Sequence, residues 1–223
     1  MDKQHHELIG LGIYTLQEAS LYGGIKTNKL SRWIFGTRNY PPVIEAQLYD
    51  QHLISFCDLV QAMAIDKARE NNIALQKIRD ALQFARDEYG VEFPLAYNHR
   101  LLLYERDLHI ELPNNKIIQA SGRIQGQILL GPIAEPFIKD LHFNAEGLAI
   151  KLVPFKKYGR VITLDPLKQF GQPLVGDTGY RADILEQAYS VEKSYDLIAS
   201  TYGINTKDVK TAVAYMKTIR SAA

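Results

Sequence analysis

Apolar positions change their spacing twice along the chain. They recur every three or four residues from 15 to about 90, alternate from about 106 to 156, and return to helical spacing from about 182 to 221. A helical, then extended, then helical course follows, because a period near 3.6 buries one face of a helix and a period of two buries one face of a strand.

The first helical stretch opens on Thr15-x-x-Glu18, a capping box in which each side chain accepts from the other residue's amide. Leu16 and Ala19 face inward, and Gly23-Gly24 ends the helix, since glycine enters the left-handed region that a tight turn needs. A second helix runs from about Thr27 with Leu30, Trp33 and Ile34 at helical spacing; Gly36 and Pro41-Pro42 stop it and begin an extended stretch. Two longer helices come next. Phe56, Leu59, Val60, Met63 and Ala64 stripe the first. After the Asn71-Asn72 break, Leu75, Ile78, Leu82, Ala85 and Tyr89 stripe the second, which Gly90 closes.

In the middle of the chain residues 108–112 alternate, Pro113-Asn114-Asn115 marks a turn, and 117–130 carry a further strand signal broken by Gly122 and Gly126. Leu141-His142-Phe143, a turn at 144–147 and the run 148–153 predict a hairpin, and with it a small antiparallel sheet. Residues 154–160, PFKKYGR, read as a basic linker. A short strand at 161–164 and a Gly/Pro-rich loop through Gly179 lead into helices at 182–188, from about Ser194, and from Thr206. Gly203 suits a helix C-cap and Asn205 or Thr206 an N-cap, with Ile198, Ala199, Ile204, Val209 and Val213 as the shared core.

Composition narrows the function classes. Among 223 residues, 26 Lys plus Arg against 25 Asp plus Glu give a net charge of +1, which rules out a strongly basic nucleic-acid coat but not a local basic face. Cys57, the single cysteine, rules out an internal disulfide framework and a thiol-rich zinc site. The segment MDKQHHELIG has no apolar run, and no window approaches the roughly 20 apolar residues of a membrane span. A soluble, cytoplasmic protein is expected.

Two stretches carry a helix–turn–helix pattern: a short helix with a small residue, a glycine turn, and a second helix with polar outward positions. In the first unit Thr27, Asn28, Lys29, Ser31 and Arg32 point outward, and residues 1–42 hold five basic against three acidic side chains. Lys and Arg suit guanine edges and phosphates, and Asn suits adenine. An αα-hairpin used purely for packing explains the same pattern. The second unit, Ser194 to Tyr215, turns Thr206, Lys207, Lys210 and Lys217 outward; a dimerisation face of Ala212, Val213, Tyr215 and Met216 explains it as well.

Other chemistry is thin. His5-His6 is a polar tail, Cys57 sits on an apolar stripe, and His99, His109 and His142 lack spaced carboxylate or cysteine partners. Asp177 forms a turn, and Gly122-x-x-x-Gly126 lacks the third glycine and the strand-to-helix setting of a nucleotide site. No catalytic constellation, metal or cofactor is expected, and the chain does not read as an enzyme.

Residues 13–90, from IYTLQEASLYGGIKTNKLSRW through Pro41-Pro42 to ARENNIALQKIRDAL, resemble the winged-helix DNA-binding domain of the MerR type. Residues 161–216 resemble a small helical domain of VapB-type antitoxins, the domain-of-unknown-function family four-three-three, through VITLDPLKQFGQPLVGDTG and YDLIASTYGINTKDVKTAVAY. The two resemblances imply an α+β, mainly α protein with a winged helix–turn–helix unit at 1–105, a small β domain at 106–157 and a C-terminal three-helix unit at 158–223. They further imply a homodimeric type II antitoxin that binds operator DNA, autoregulates its operon and neutralises a PIN-like ribonuclease toxin. DNA contact would fall to Thr27, Asn28, Lys29, Ser31 and Arg32, to Arg38 on the wing, and to Lys207 and Lys210. Against the carboxylate cluster of such a toxin, Arg106, Arg123, Lys156, Lys157 and Arg160 are the candidate cations. Two alternatives stay open: a ligand-responsive regulator with an effector pocket of Phe143, Leu148, Ile150 and Leu152, and an interaction module that does not touch nucleic acid.

Overall fold

The computed structural model describes residues 10–70, 72–90, 92–97, 101–104, 107–111, 117–119 and 140–222. It is an α+β fold, mainly α, with seven α-helices among the described residues. Helix α1 (Leu16–Gly23) starts at the expected capping box: the Glu18 amide donates to Thr15 Oγ1 at 3.2 Å and the Thr15 amide to Glu18 Oε2 at 2.8 Å. Gly24, at φ 65°, reverses the chain. Helix α2 (Thr27–Ile34) buries Leu30, Trp33 and Ile34.

After α2 the chain folds back sharply. Thr37 and Tyr40 exchange both backbone hydrogen bonds, at 2.8 and 3.2 Å, so Arg38 and Asn39 form the tip of a minimal wing. Gly36 is required here, because its φ is 73° and a Cβ would lie 2.8 Å from the Tyr40 carbonyl oxygen. The Val43 and Ile44 amides then donate to the Trp33 carbonyl at 2.8 and 3.1 Å, satisfying an orphan acceptor at the end of α2. Helices α3 (Phe56–Glu70) and α4 (Leu75–Tyr89) form the expected pair, with Asn72 at φ 63° in the break and Gly90 at φ 62° closing α4.

The extended region makes two sheets where one was expected. Strands β1 (Leu101–Tyr104), β2 (Asp107–Glu111) and β3 (Ile117–Gln119) form an antiparallel meander. The second sheet has the order β4 (Leu141–Phe143), β5 (Ala149–Lys157), β6 (Arg160–Leu164) and β7 (Leu174–Val175). The 113–115 turn, most of the 117–130 strand signal, Gly122, Gly126 and His99 lie outside the described residues.

Residues 154–160 are not a linker. They are the end of β5, a two-residue turn and the start of β6, with Lys157 opposite Arg160. Tyr158 at φ 54° and Gly159 at φ 73° give the turn two left-handed residues, whose twist matches that of the strands. The boundary expected at 157/158 therefore falls inside a hairpin.

Helices α5 (Ala182–Glu192), α6 (Tyr195–Tyr202) and α7 (Thr206–Ala222) complete the chain, with Ser194 capping α6 and Gly203 ending it at φ 64°. Helix α7 packs on β5, β6 and β7 as well as on α5, α6 and α1. Ala212, Val213, Tyr215 and Met216 are buried in this packing, so the apolar face weighed above as a dimerisation surface is consumed by the chain's own core.

One core runs from Tyr14 and Leu30 through Ile65 and Leu152 to Val209 and Tyr215. The loop before β7 ties α1 to it. Tyr14 Oη donates to the Gly171 carbonyl at 2.8 Å, Tyr22 Oη to Gln172 Oε1 at 2.8 Å, and Gln172 Nε2 to Glu18 Oε1 at 3.1 Å.

Candidate nucleic-acid interface

The α1–turn–α2 unit is rigid from within. Ser20 Oγ donates to the Ile25 carbonyl at 2.6 Å and lies 2.9 Å from Thr27 Oγ1, so the hydroxyl of Thr27 is held against the turn. Buried Leu30, Trp33 and Ile34 orient α2 so that Asn28 and Arg32, one turn apart, are both exposed. Neither has a side-chain partner among the described residues, and Arg38 at the wing tip has none either. Ser31 is half-buried. Lys29 behaves differently from the expected outward cation: its ammonium pairs with Asp66 on α3 and lies 5.1 Å from the Trp33 ring centroid. That charge braces α2 on α3.

The wing has its own support. Arg79 on α4 donates to the Pro41 carbonyl at 2.9 Å, and Arg86 on the same helix pairs with Glu45 at 3.3 Å. Two exposed neighbours were missed from the sequence: Lys26, which stands at the α2 N-cap without making a side-chain cap, and Tyr40, 66% exposed beside Arg38. The signal for Tyr40 was an aromatic residue between a turn and Pro41-Pro42, where no core strand can follow.

At the second unit Lys207 is exposed near the start of α7, while Asn205 Oδ1 accepts from the Lys207 amide at 2.9 Å. Lys210 lies over the Tyr195 ring at 5.6 Å and Lys217 over Tyr189 at 5.8 Å. The two rings are stacked, 4.2 Å apart and 12° from parallel. A hydrogen bond with Tyr189, aided by burial, pushes the Tyr195 phenol up to about 12. This ladder uses both lysines to tie α7 to α5 and α6.

The cations expected to face a toxin are engaged within the fold where the structure describes them. Lys156 pairs with Asp140 at 3.7 Å, Lys157 lies over the Tyr158 ring at 5.2 Å, and Arg160 pairs with buried Asp208 at 2.9 Å. Asp208 also accepts from the Asn205 amide at 3.1 Å, so Arg160 secures the start of α7. Arg106 and Arg123 lie outside the described residues.

Burial pushes the Cys57 thiol up to about 12, with Asp58 adding to the rise, so this thiol is a poor nucleophile at neutral pH. Among the described residues no three His, Cys, Asp or Glu side chains group as a metal site. No described helix is long and apolar enough to cross a membrane. Of the four expected effector-pocket residues, Ile150 is exposed, and Leu152 borders an open groove of about 320 Å³ between α1, α3, β5 and α7.

No known family's sequence profile matches the chain. It is 25% identical over 227 aligned positions to the uncharacterized protein Rv2308 of Mycobacterium tuberculosis, with 94% of this chain and 92% of that protein covered. In fold it is similar to the crystal structure of Rv2018 from Mycobacterium tuberculosis, with a TM-score of 0.63, 20% identity, and coverage of 90% of this chain and 96% of that one.

Proposed function

We propose that the chain is a sequence-specific DNA-binding protein that reads the major groove with α2 and touches the flanking backbone with the wing. The observation that carries this is the pairing of Asn28 and Arg32 on one exposed helix face, with Arg38 at the wing tip, all free of side-chain partners among the described residues while neighbouring charges are tied down. Asn28 suits an adenine edge and Arg32 a guanine edge or a phosphate. Lys26 and Tyr40 supply backbone contacts, which position the protein without specifying sequence. A homodimer would place two α2 helices one helical turn of DNA apart, about 34 Å, on a near-palindromic site.

Binding of the purified protein to labelled DNA from its own upstream region, against scrambled DNA at several salt concentrations, tests this. Preferential binding that weakens steeply with salt is expected. Arg32→Ala should lower specific affinity by about 1–3 kcal/mol. Equal, feeble binding to both DNAs removes the reading and leaves the α1–α2 unit as a packing element.

The antitoxin role implied by the C-terminal resemblance belongs to the same proposal, with a different contact surface from the one expected. Leu167 and Phe170 are 75% and 60% exposed on the loop before β7, and Phe170 is held at φ 54°. Two exposed apolar side chains on a conformationally costly loop suit contact with a partner protein. Co-expression with the product of the adjoining reading frame should give a complex that Leu167→Ser/Phe170→Ser dissolves; an intact complex in that variant excludes this loop.

A further inference from the structure

The cations of β5, β6 and α7 fall into two groups. Lys156, Arg160 and Arg220 each pair with a carboxylate, on Asp140, Asp208 and Glu186 respectively. Lys157, Lys207, Lys210 and Lys217 are exposed, and none of them pairs with a carboxylate among the described residues. Three of these four lie over tyrosine rings instead: Lys157 over Tyr158, Lys210 over Tyr195 and Lys217 over Tyr189. A ring positions an ammonium group but has no net charge with which to neutralise it, so all four lysines keep their full charge toward solvent.

These lysines belong to one surface. Lys207, Lys210 and Lys217 lie on one side of α7, spread over about 15 Å of its axis. The Thr211 hydroxyl donates to the Lys157 carbonyl at 3.0 Å, which fastens the end of β5 to α7 beside Lys210. Tyr158 follows at the hairpin tip and adds to the rise of the Tyr195 phenol, so the tip stands beside the stacked rings. Asp196, at the same end of α7, accepts from the Thr206 hydroxyl at 2.9 Å and pairs with none of the lysines. Tyr158 is the unusual member. It is 49% exposed, and its φ of 54° is one that Asn or Gly takes in a two-residue turn without strain and an aromatic residue does not. A costly conformation that leaves a large ring in solvent serves neither packing nor the turn, which marks a side chain held for contact.

We propose that the tip of the β5–β6 hairpin and the adjoining side of α7 bind single-stranded nucleic acid, with the lysines on its phosphates and a base stacked on Tyr158. A row of uncompensated cations beside an exposed ring suits such a strand, because every unpaired base offers a flat face. Duplex DNA offers phosphates to the lysines but no base face to the ring, so the ring is what selects the single strand. This surface uses none of the α2 or wing residues and stands independently of the reading proposed for them.

The test is fluorescence anisotropy of the full chain with labelled oligodeoxythymidine and oligouridine of about 20 nucleotides, and with a duplex of unrelated sequence, at several salt concentrations. At least one of the single strands should bind about tenfold more tightly than the duplex, with affinity falling as salt rises. The tighter strand identifies the sugar recognised. Tyr158→Asn supplies a residue that suits the turn, so the fold should be at least as stable as the parent while single-strand affinity falls about five- to a hundredfold, the worth of one stacked base. Lys207→Gln, at an exposed position with no ring or ionic contact, should reduce the salt slope by about 0.7. Arg32→Ala should leave single-strand binding as it is, which separates this site from α2. The inference is overturned if the duplex binds as tightly as both strands, if Tyr158→Asn binds as the parent does, or if phosphatidylserine vesicles bind the chain while neither strand does.

Discussion

Asp58 is fully buried at the start of α3, and removing its charge should change how the fold responds to pH. Its Oδ2 accepts from the Ser55 and Gln47 amides, both at 3.2 Å, and Ser55 Oγ accepts from the Asp58 amide at 3.1 Å. Those bonds favour the ionised form, yet desolvation outweighs them, and with help from Glu92 pushes the carboxyl from 3.8 up to about 6. Its Oδ1 is buried without a partner among the described residues, and so is Gln61 Oε1 three residues further along the helix. Because the folded chain holds the Asp58 proton more tightly than the unfolded chain, the stabilisation is complete below about pH 4 and is lost as pH rises through about 6. A displacement of about 2 pH units corresponds to about 3 kcal/mol across that window. Asp58→Asn keeps an oxygen for the Ser55 and Gln47 amides and never ionises. Urea unfolding at intervals from pH 4 to pH 8 should show the parent losing about 2–3 kcal/mol relative to Asp58→Asn as pH rises from 4 to 8, with most of the change between 4 and 6.5. A constant difference between the two proteins at every pH would refute the argument, as would a parent that weakens relative to the variant on acidification.

Three further outcomes follow from single contacts. Gly171→Ala puts a Cβ 2.3 Å from Tyr14 Oη at a φ of 83°, so it should cost about 2–4 kcal/mol in thermal or urea unfolding, and unchanged stability would show that the Tyr14 contact is dispensable. Gly159→Val forces a β-branched residue to φ 73° in the β5–β6 turn and should cost about 1–2 kcal/mol by the same measurement. Lys29→Ala should lower stability by less than about 1 kcal/mol, because the pair with Asp66 is partly exposed, and should leave the salt dependence of DNA binding unchanged where Arg32→Ala or Arg38→Ala reduces it.

The elements that could be foreseen are those whose causes lie within a few residues. Thr15 and Glu18 form their capping box, Gly24, Gly90 and Gly203 stop helices in the left-handed region, and Phe56, Leu59, Val60 and Ala64 of α3 and Ile78, Leu82 and Ala85 of α4 are buried as their spacing requires. The Leu141–Phe143 strand and its return were equally local. The β5–β6 hairpin was not, because its turn puts Tyr158 at φ 54°, a position where a bulky side chain gives no turn signal, and because two lysines at a strand's exposed end look like a linker. The roles of the cations failed to show for a related reason. Lys29 meets Asp66 across 37 positions, and Arg160 meets Asp208 from another element, so which charges are free for a partner depends on contacts that no local pattern contains.

The same long-range contacts bear on how the two halves of the chain act together. Glu18 uses one carboxylate oxygen to cap α1, through the Thr15 amide at 2.8 Å, and the other to accept from Gln172 at 3.1 Å. Gln172 in turn accepts from Tyr22 near the end of α1, and Gly171 beside it accepts from Tyr14 just before its start. Helix α1 is thus gripped at both ends by three consecutive positions, 170–172, because Phe170 also accepts from the Ile13 amide at 2.9 Å. Leu167 and Phe170 project from this same loop. A partner that displaced the loop would have to break four hydrogen bonds to α1 and its approach, whereas one that docked on the exposed side chains and left the backbone in place would stiffen them. Since α2 is positioned by α1 through Ser20, Thr27 and the Gly24 turn, occupancy of the loop and occupancy of the α2 face share one mechanical element. Any coupling that results is reciprocal: whatever a partner on the loop does to ligand affinity at α2, a ligand on α2 does to the partner.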